Sequence, residues 1–278
     1  MRDLYPAEDL ARDGRFTRVE INDFIAEGRI PPDGARGKLK VHDDNSVSRA
    51  QVMMHGIFMG EVQALEGAGR TAWDFRDDDE TPYELRLDMA RQAWDEARHV
   101  EISVKLMEHM GVELGEFGES TFLYQAACNP DPVLRLTGVN RALEGLAIDV
   151  FNTMREFAAD SDDPLMGMAE DFMLADEVTH VKMGSDWLRR MTDSDPERRE
   201  RALEFQHTVD RLFSLGGFRS EEDDAPIKLA RRFRELAGFD TDELDEIAGL
   251  AQEVAEEARS EAEANQERAL AGDAAAEV

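Results

Sequence analysis

Apolar residues recur with helical periodicity along most of the chain, in segments that are separated by polar or proline-containing breaks. This pattern predicts four long helices in the middle of the chain. They cover residues 48–75, 82–110, 133–159 and 165–191. A longer loop is expected at 111–131, between the second and third helices. No segment shows the strict alternation that is typical of strands, so we expect an all-α fold.

The segments on either side of these helices differ from them in character. Residues 1–47 contain turn-forming dipeptides and predict an irregular N-terminal segment, with one short helix near 19–27. Residues 193–278 predict a helical C-terminal extension, with segments at 197–215, at 224–237 and from 241 onward. The chain is therefore divided into 1–47, a four-helix region at 48–192, and additional C-terminal helices at 193–278.

The charge of the chain limits the partners that it can bind. The 278 residues include 62 acidic and 32 basic side chains, which gives a formal net charge of −30. Such a charge repels phosphate backbones and anionic lipid headgroups, so neither nucleic acid nor a membrane is an expected partner. Most of these carboxylates are expected to lie on a solvated surface.

Cysteine usage and hydropathy narrow the class of protein further. Cys128 is the one cysteine, which excludes an intramolecular disulfide and any metal site built on several thiolates. The N-terminus lacks the apolar stretch of a signal peptide, and no apolar run is long enough for a transmembrane helix. We expect a soluble, cytoplasmic protein, and its long amphipathic helices are compatible with a homodimer.

The most informative feature of the sequence is a pair of motifs that each occur twice. Ala-Leu-Glu-Gly at 64–67 in the first predicted helix recurs at 142–145 in the third. Asp-Glu-x-x-His-Val at 95–100 in the second helix recurs at 176–181 in the fourth. Each half of the region therefore carries a Glu followed by Glu-x-x-His, which is difficult to obtain by accident.

These residue types and spacings predict a metal site inside the helices. Glu and His three residues apart lie on one face of a helix, and a Glu from each of two further helices completes a carboxylate-bridged dimetal arrangement. Four carboxylates balance the charge of two divalent cations, and oxygen and nitrogen ligands favour iron or manganese. The predicted ligands are Glu66, Glu96, His99, Glu144, Glu177 and His180.

Several nearby residues leave alternatives open. Glu61 competes with Glu66 as the ligand from the first helix, and the register of the repeat favours Glu66. His55 is either an additional ligand or a core histidine. Asp95 and Asp176 are predicted to accept a hydrogen bond from the second ring nitrogen of a ligand histidine across the helices.

A third Glu-x-x-His, at 204–207, has no accompanying Glu-Gly motif. We interpret it as a surface or packing pair.

The motifs at these positions resemble those of a known superfamily. The doubled Glu and Glu-x-x-His pattern resembles the ferritin-like superfamily of di-iron carboxylate proteins. Asp-Glu-Ala-Arg-His at 95–99 is similar to a motif of bacterial di-iron monooxygenases. The region at about 50–192 also resembles an uncharacterised bacterial ferritin-like family, a domain of unknown function. The resemblance implies a ferritin-like four-helix bundle that binds two irons through the predicted ligands.

The function expected from this reading is that of a non-haem di-iron oxidoreductase. It would activate dioxygen to oxidise or hydroxylate a small organic substrate, with two iron ions, or manganese or a mixed Fe/Mn pair, as cofactor. Its partners would be dioxygen, the substrate and an electron donor. The alternatives are a ferroxidase or peroxide-scavenging iron-handling protein, and a non-catalytic helical scaffold.

Overall fold

The computed structural model describes residues 46–76, 81–117, 122–214, 219–220 and 227–250, together with positions 252, 253, 256 and 260. The secondary structure of these residues is almost entirely helical, which confirms the all-α fold. Apart from the last two residues of the irregular segment expected at 1–47, that segment and its short helix lie outside the described residues. Within the described residues, no helix has both the length and the apolar character that crossing a membrane requires.

Eight α-helices, one π-helix and two very short strands follow one another along the described residues up to 236. In chain order the α-helices are α1 (Ser46–Asp74), α2 (Tyr83–Met110), α3 (Phe122–Ala127), α4 (Pro132–Arg135), α5 (Glu144–Asp160), α6 (Pro164–Met191), α7 (Pro196–Phe213) and α8 (Arg231–Leu236). The π-helix, Leu136–Leu143, joins α4 to α5 without a break. The strands β1 (Arg219–Ser220) and β2 (Ile227–Lys228) pair in parallel. Residues 241–250 are also helical.

Local sequence signals set several of the helix ends. Asp131, Asp163 and Asp195 each precede a proline that occupies the first position of α4, α6 or α7. Each aspartate accepts a hydrogen bond from the backbone N–H three residues later, so it satisfies a donor that the helix itself leaves unpaired. At the other end of α2, Gly111 adopts a left-handed φ of 73° and closes the helix.

The four long helices pack as two pairs that face each other. α1 packs along α2 and α5 along α6, while α2 contacts α6 and α1 contacts α5. Hydrogen bonds near both ends show that α2 and α6 run in opposite directions. His109 Nε2 lies 2.8 Å from Asp163 Oδ2, and Trp187 Nε1 donates to Asp88 Oδ2 at 2.7 Å. These helices therefore enclose a common interior.

The main hydrophobic core fills this interior and extends under the C-terminal residues. Burying each large apolar side chain stabilises the fold by about 1.5–3 kcal/mol. Much of the core is methionine and phenylalanine: Met54, Phe58, Met107, Phe151, Met154, Met166 and Met173. Leu229, Ala237, Phe239, Leu244 and Ile247 belong to the same cluster, so the chain after residue 192 packs directly on the long helices.

The structure corrects the sequence predictions where elements are short. The expected loop at 111–131 contains α3, and the helix expected at 224–237 begins only at Arg231, after β2. No strand was expected, yet β1 and β2 pair over two residues each. Elements of two to six residues span fewer than two periods of the hydrophobic pattern, so periodicity does not reveal them. A tryptophan within a helix is most simply expected in the core, yet Trp94 on α2 is 67% exposed.

Candidate metal centre

Four glutamates and two histidines meet in the interior between α1, α2, α5 and α6. They are Glu61 on α1, Glu96 and His99 on α2, Glu144 on α5, and Glu177 and His180 on α6. We call these residues the Glu/His cluster. Each is at most 4% exposed, so the charged groups of the cluster are removed from water. The three-residue spacing within α2 and within α6 directs both members of each Glu-x-x-His pair to the same side.

The first half of the cluster is arranged around His99. Its Nδ1 lies 3.0 Å from Glu61 Oε2, 3.1 Å from Glu96 Oε2 and 3.2 Å from Glu177 Oε1. One ring nitrogen carries at most one hydrogen, so it cannot donate to all three oxygens. Three carboxylate oxygens and an imidazole nitrogen that converge in this way form a donor set suited to a cation.

The second half is arranged in the same way around His180. Its Nδ1 lies 3.0 Å from Glu96 Oε1, and 3.6 Å from both Glu144 Oε2 and Glu177 Oε2. The donor set is again one imidazole nitrogen and three carboxylates. The cluster thus contains two similar groups of donors side by side.

Glu96 and Glu177 belong to both halves. Glu96 directs Oε2 towards His99 and Oε1 towards His180. Glu177 likewise directs Oε1 towards His99 and Oε2 towards His180. A carboxylate whose oxygens face two separate donor groups has the geometry of a bridging ligand.

The outer nitrogens of the two histidines are held by aspartates from the opposite helix. His99 Nε2 lies 3.2 Å from Asp176 Oδ2, and His180 Nε2 lies 3.3 Å from Asp95 Oδ2. These are the crosswise hydrogen bonds that the sequence predicts. Arg98 pairs with both aspartates through its guanidinium. Each imidazole therefore donates through Nε2, and Nδ1 is the nitrogen that faces the cluster.

Gln92 orients the carboxylates from a position one turn before Glu96. Its Nε2 donates to Glu96 Oε1 at 3.1 Å and to Glu144 Oε1 at 2.9 Å, while its own carbonyl oxygen accepts from Asn140 Nδ2. Gln92 and Asn140 are both fully buried. This amide pair was not identified from the sequence, because neither residue belongs to a repeated motif.

The π-helix brings Asn140 to this position. Its wider turns precede Glu144 directly, and π segments occur frequently at functional sites. α6 approaches the π-helix so closely at Gly184 that a Cβ there would lie 2.5 Å from Asn140 Cβ. The sequence predicts an ordinary helix over these residues, and the structure corrects this by one π segment.

Burial controls the electrostatics of the cluster. Desolvation raises the pKa of Glu61 to about 8, although the hydrogen bond to His99 acts in the opposite direction. Burial lowers the pKa of His180, but the charges of Glu96 and Glu177 outweigh it and the pKa is raised well above its usual value. In the absence of a bound cation, protons held by these side chains therefore offset the negative charge of the buried carboxylates.

The hydrogen bonding of the cluster is incomplete in a way that fits a metal. Glu96 Oε2, both oxygens of Glu177 and His180 Nδ1 are buried without a hydrogen-bond partner, although they lie close to one another. Native interiors rarely leave such atoms unpaired. A cation bound beside either histidine would pair with several of these atoms, so this buried Glu/His cluster could hold a metal ion.

Comparison with known proteins places the chain in a family. A family model described as "Protein of unknown function (DUF455)" matches residues 32–245. The chain belongs to this family. The matched region contains the whole Glu/His cluster together with Gln92 and both aspartates. No curated protein and no solved structure matches the chain.

In this family member, the α1 residue of the cluster is Glu61, and the structure corrects the choice of Glu66. Five residues on a helix correspond to a rotation of about 140°, so the two side chains point in different directions. Glu66 is only partly buried and lies near Arg70 and Asp74.

A signal for this choice was present in the buried stripe of α1. Met54, Ile57, Ala64 and Ala68 recur along it at helical spacing, and Glu61 continues the same stripe.

Two other histidines that the sequence raised are not in the cluster. His55 is fully buried, accepts the backbone N–H of Gly115 at 2.9 Å, and packs edge-on against Phe117. His207 of the third Glu-x-x-His lies 2.7 Å from Glu246, which belongs to the 241–250 helix. His55 therefore packs in the core, and His207 joins α7 to the 241–250 helix.

A further buried glutamate beside the cluster was missed. Glu170 on α6 is fully buried, and Glu61 and His99 are the charged groups that influence it. It precedes Glu177 by seven residues, which places the two on the same face of the helix. Met166 and Met173 are buried on this stripe too, so heptad spacing could have revealed Glu170.

Proposed function

We propose that the Glu/His cluster is a dinuclear metal centre, with one ion beside His99 and the other beside His180. The observation that carries this proposal is the division of the Glu96 and Glu177 oxygens between the two histidines. Four glutamates would balance two divalent cations, which makes a buried group of carboxylates tolerable.

We further propose that the fold is the ferritin-like four-helix bundle and that the ions are iron, with manganese or a mixed Fe/Mn pair as variants. The two facing helix pairs and the repeated Glu and Glu-x-x-His order support the fold assignment. Donors that are oxygen and nitrogen without thiolate support the choice of metal.

The activity that this site supports best is oxidation or hydroxylation of a small organic substrate with dioxygen, by a non-haem di-iron oxidoreductase. Bound iron would supply the electrons that reduce dioxygen, and an external donor would restore them. Gln92 holds the Glu96 and Glu144 carboxylates in place through its amide. Asp95 and Asp176 retain the outer imidazole protons, so that the inner nitrogens remain ligands.

The packing of the C-terminal residues favours an enzyme over a plain iron-storage subunit. Arg234 on α8 is fully buried and forms an ion pair with Asp149 of α5 at 2.7 Å. Its guanidinium lies so close to Gly145 that a Cβ there would be 2.9 Å from Nη1. The residues after 192 thus pack against the helix turn that carries Glu144. Such a covering could shape a substrate site beside the metals.

Iron handling is the second candidate, and the net charge of −30 favours it. A strongly acidic surface concentrates cations such as Fe²⁺ around the protein and guides them to the interior. In that case Fe²⁺ would be the substrate, and the centre would work as a ferroxidase.

Aerobic oxidation of excess Fe²⁺ separates the two candidates. The protein is loaded anaerobically with Fe²⁺, supplied with a large excess of the same ion, and exposed to dioxygen. An oxidase or oxygenase without its organic substrate should stop after about two irons per chain. Continued turnover with mineral formation would favour iron handling. Failure of the wild-type chain to retain any transition metal would contradict both candidates.

A further inference from the structure

Glu170 is a buried carboxylate for which the described structure provides no hydrogen-bond partner. The residue is 0% exposed, and both of its carboxylate oxygens are buried and unpaired. An unpaired carboxyl group in an apolar interior destabilises the fold. Native proteins rarely retain such a group, and its place beside a set of metal-binding donors is explained if the carboxyl group binds a metal ion.

The position of Glu170 places it next to the His99 side of the cluster. Two hydrogen bonds between α2 and α6 lie on either side of it along the helices, one from His99 to Asp176 and the other from His109 to Asp163. Glu61 and His99 are the charged neighbours that act on its carboxyl group.

Ser103 on α2 lies between the same two hydrogen bonds. Its hydroxyl oxygen is also buried without a hydrogen-bond partner. Two unpaired polar groups at the same level of the helices mark a polar spot in an otherwise apolar layer.

We propose that Glu170 is a fifth carboxylate ligand of the metal centre and binds the ion on the His99 side. This inference rests on the proposed dinuclear centre. That side already presents one nitrogen and three carboxylates, and divalent iron and manganese accept up to about six such ligands. Glu170 is not among the residues whose donor atoms already converge, so it reaches the ion by rotating about its side-chain bonds.

The substitution Glu170→Gln tests this role, with Glu66→Gln as the matched control. Both replace a carboxyl group with an amide of the same size, but Glu66 lies outside the cluster. Binding of Co²⁺, a redox-inert probe under these conditions, is measured by titration of the full chain together with its visible absorption. Thermal unfolding of the metal-free proteins is measured in parallel.

The expected result separates a ligand from a structural residue. Glu170→Gln should weaken binding of one Co²⁺ by about tenfold or more and change its absorption, as lost coordination does. The metal-free variant should be as stable as the wild type or more so, since an unpaired buried acid has been removed. Glu66→Gln should leave both Co²⁺ sites unchanged.

Equal Co²⁺ affinity and spectra in Glu170→Gln and the wild type would overturn the proposal. If Glu170→Gln does not fold, Glu170→Met is used in its place. Weakened Co²⁺ binding then supports the proposal, and binding equal to that of the wild type overturns it. Absence of Co²⁺ binding by the wild-type chain itself would instead contradict the dinuclear centre, so failure of the two proposals can be distinguished.

Discussion

Asp176 Oδ2 lies 3.2 Å from His99 Nε2 and 3.2 Å from Arg98 Nη2. The carboxylate thus links the outer edge of the imidazole to a guanidinium near the surface of the helices. Because it fixes the Nε2 proton, it also fixes which nitrogen His99 presents to Glu61, Glu96 and Glu177. The orientation of a central side chain therefore depends on a residue that is not itself in the cluster.

Asp176→Asn should weaken metal binding by about 10–100-fold while the fold is retained, because the amide is a poorer acceptor for the imidazole N–H. Competition with a chromophoric chelator measures the affinity. Asp171→Asn is the control, since Asp171 lies on the same helix but is exposed and pairs with Arg155. Equal affinities in the two variants would contradict the positioning role of Asp176.

Glu61→Gln and Glu66→Gln should differ in the number of metal ions that the chain retains. Glu61 lies 3.0 Å from His99 Nδ1, so its loss removes a donor from one side of the cluster only. We expect about one tightly held ion per chain in Glu61→Gln and about two in Glu66→Gln, measured by elemental analysis after gel filtration. The opposite order would restore Glu66 as the α1 ligand.

The metal-free protein should lose stability as the pH rises between about 5 and about 8. Glu61 has a pKa of about 8 in the folded state against its usual 4.5, so it holds a proton there that the unfolded chain has released. This contribution is complete below pH 4.5 and is lost as the pH rises through about 8. His180, whose pKa is raised above 6.5, acts in the same direction above that pH.

Metal binding should oppose this trend. The ligands bind a cation in their deprotonated forms, so the increase in melting temperature caused by Zn²⁺ should grow as the pH rises. Differential scanning calorimetry with and without Zn²⁺ measures both effects. A metal-free protein that becomes more stable over this pH range would contradict the assigned pKa directions.

Gly138→Ala should destabilise the fold by about 1–3 kcal/mol, because the π-helix packs on α3 without room for a side chain. A Cβ at Gly138 would lie 2.2 Å from the carbonyl oxygen of Ala127. Gly69→Ala is the control: no atom lies within 4 Å of its Cβ position, and removing a helix-interior glycine should add about 0.5–1 kcal/mol. Denaturant unfolding measures both, and equal stabilities would argue against the tight π-helix contact.

Features governed by short-range sequence could be predicted well. The Asp-Pro pairs at 131–132, 163–164 and 195–196 begin helices because an aspartate cap and a first-turn proline act within one turn. The same holds for both Glu-x-x-His pairs, since a spacing of three residues puts two side chains on one face in any α-helix. The aspartates next to them were predicted because a ligand histidine usually donates its second ring N–H to a carboxylate.

Features governed by packing between helices could not be predicted in the same way. Glu61 and Glu66 both have apolar neighbours, and the rotation of α1 against α2 decides which of them is buried. The repeat placed Glu66 opposite Glu144, but Glu144 follows a π-helix, whose wider turns change the rotational register of the helix after it. Trp94 is exposed for a similar reason. Periodicity shows that α2 has an apolar face, but it does not fix which residues at the edge of that face point into the core.

Anomalous diffraction at the iron edge, from crystals of the chain loaded anaerobically with Fe²⁺, tests the dinuclear centre most directly. The account predicts two peaks about 3.5–4 Å apart, one beside His99 Nδ1 and one beside His180 Nδ1, with Glu96 and Glu177 between them. A single peak, or iron bound only outside the Glu/His cluster, would contradict it.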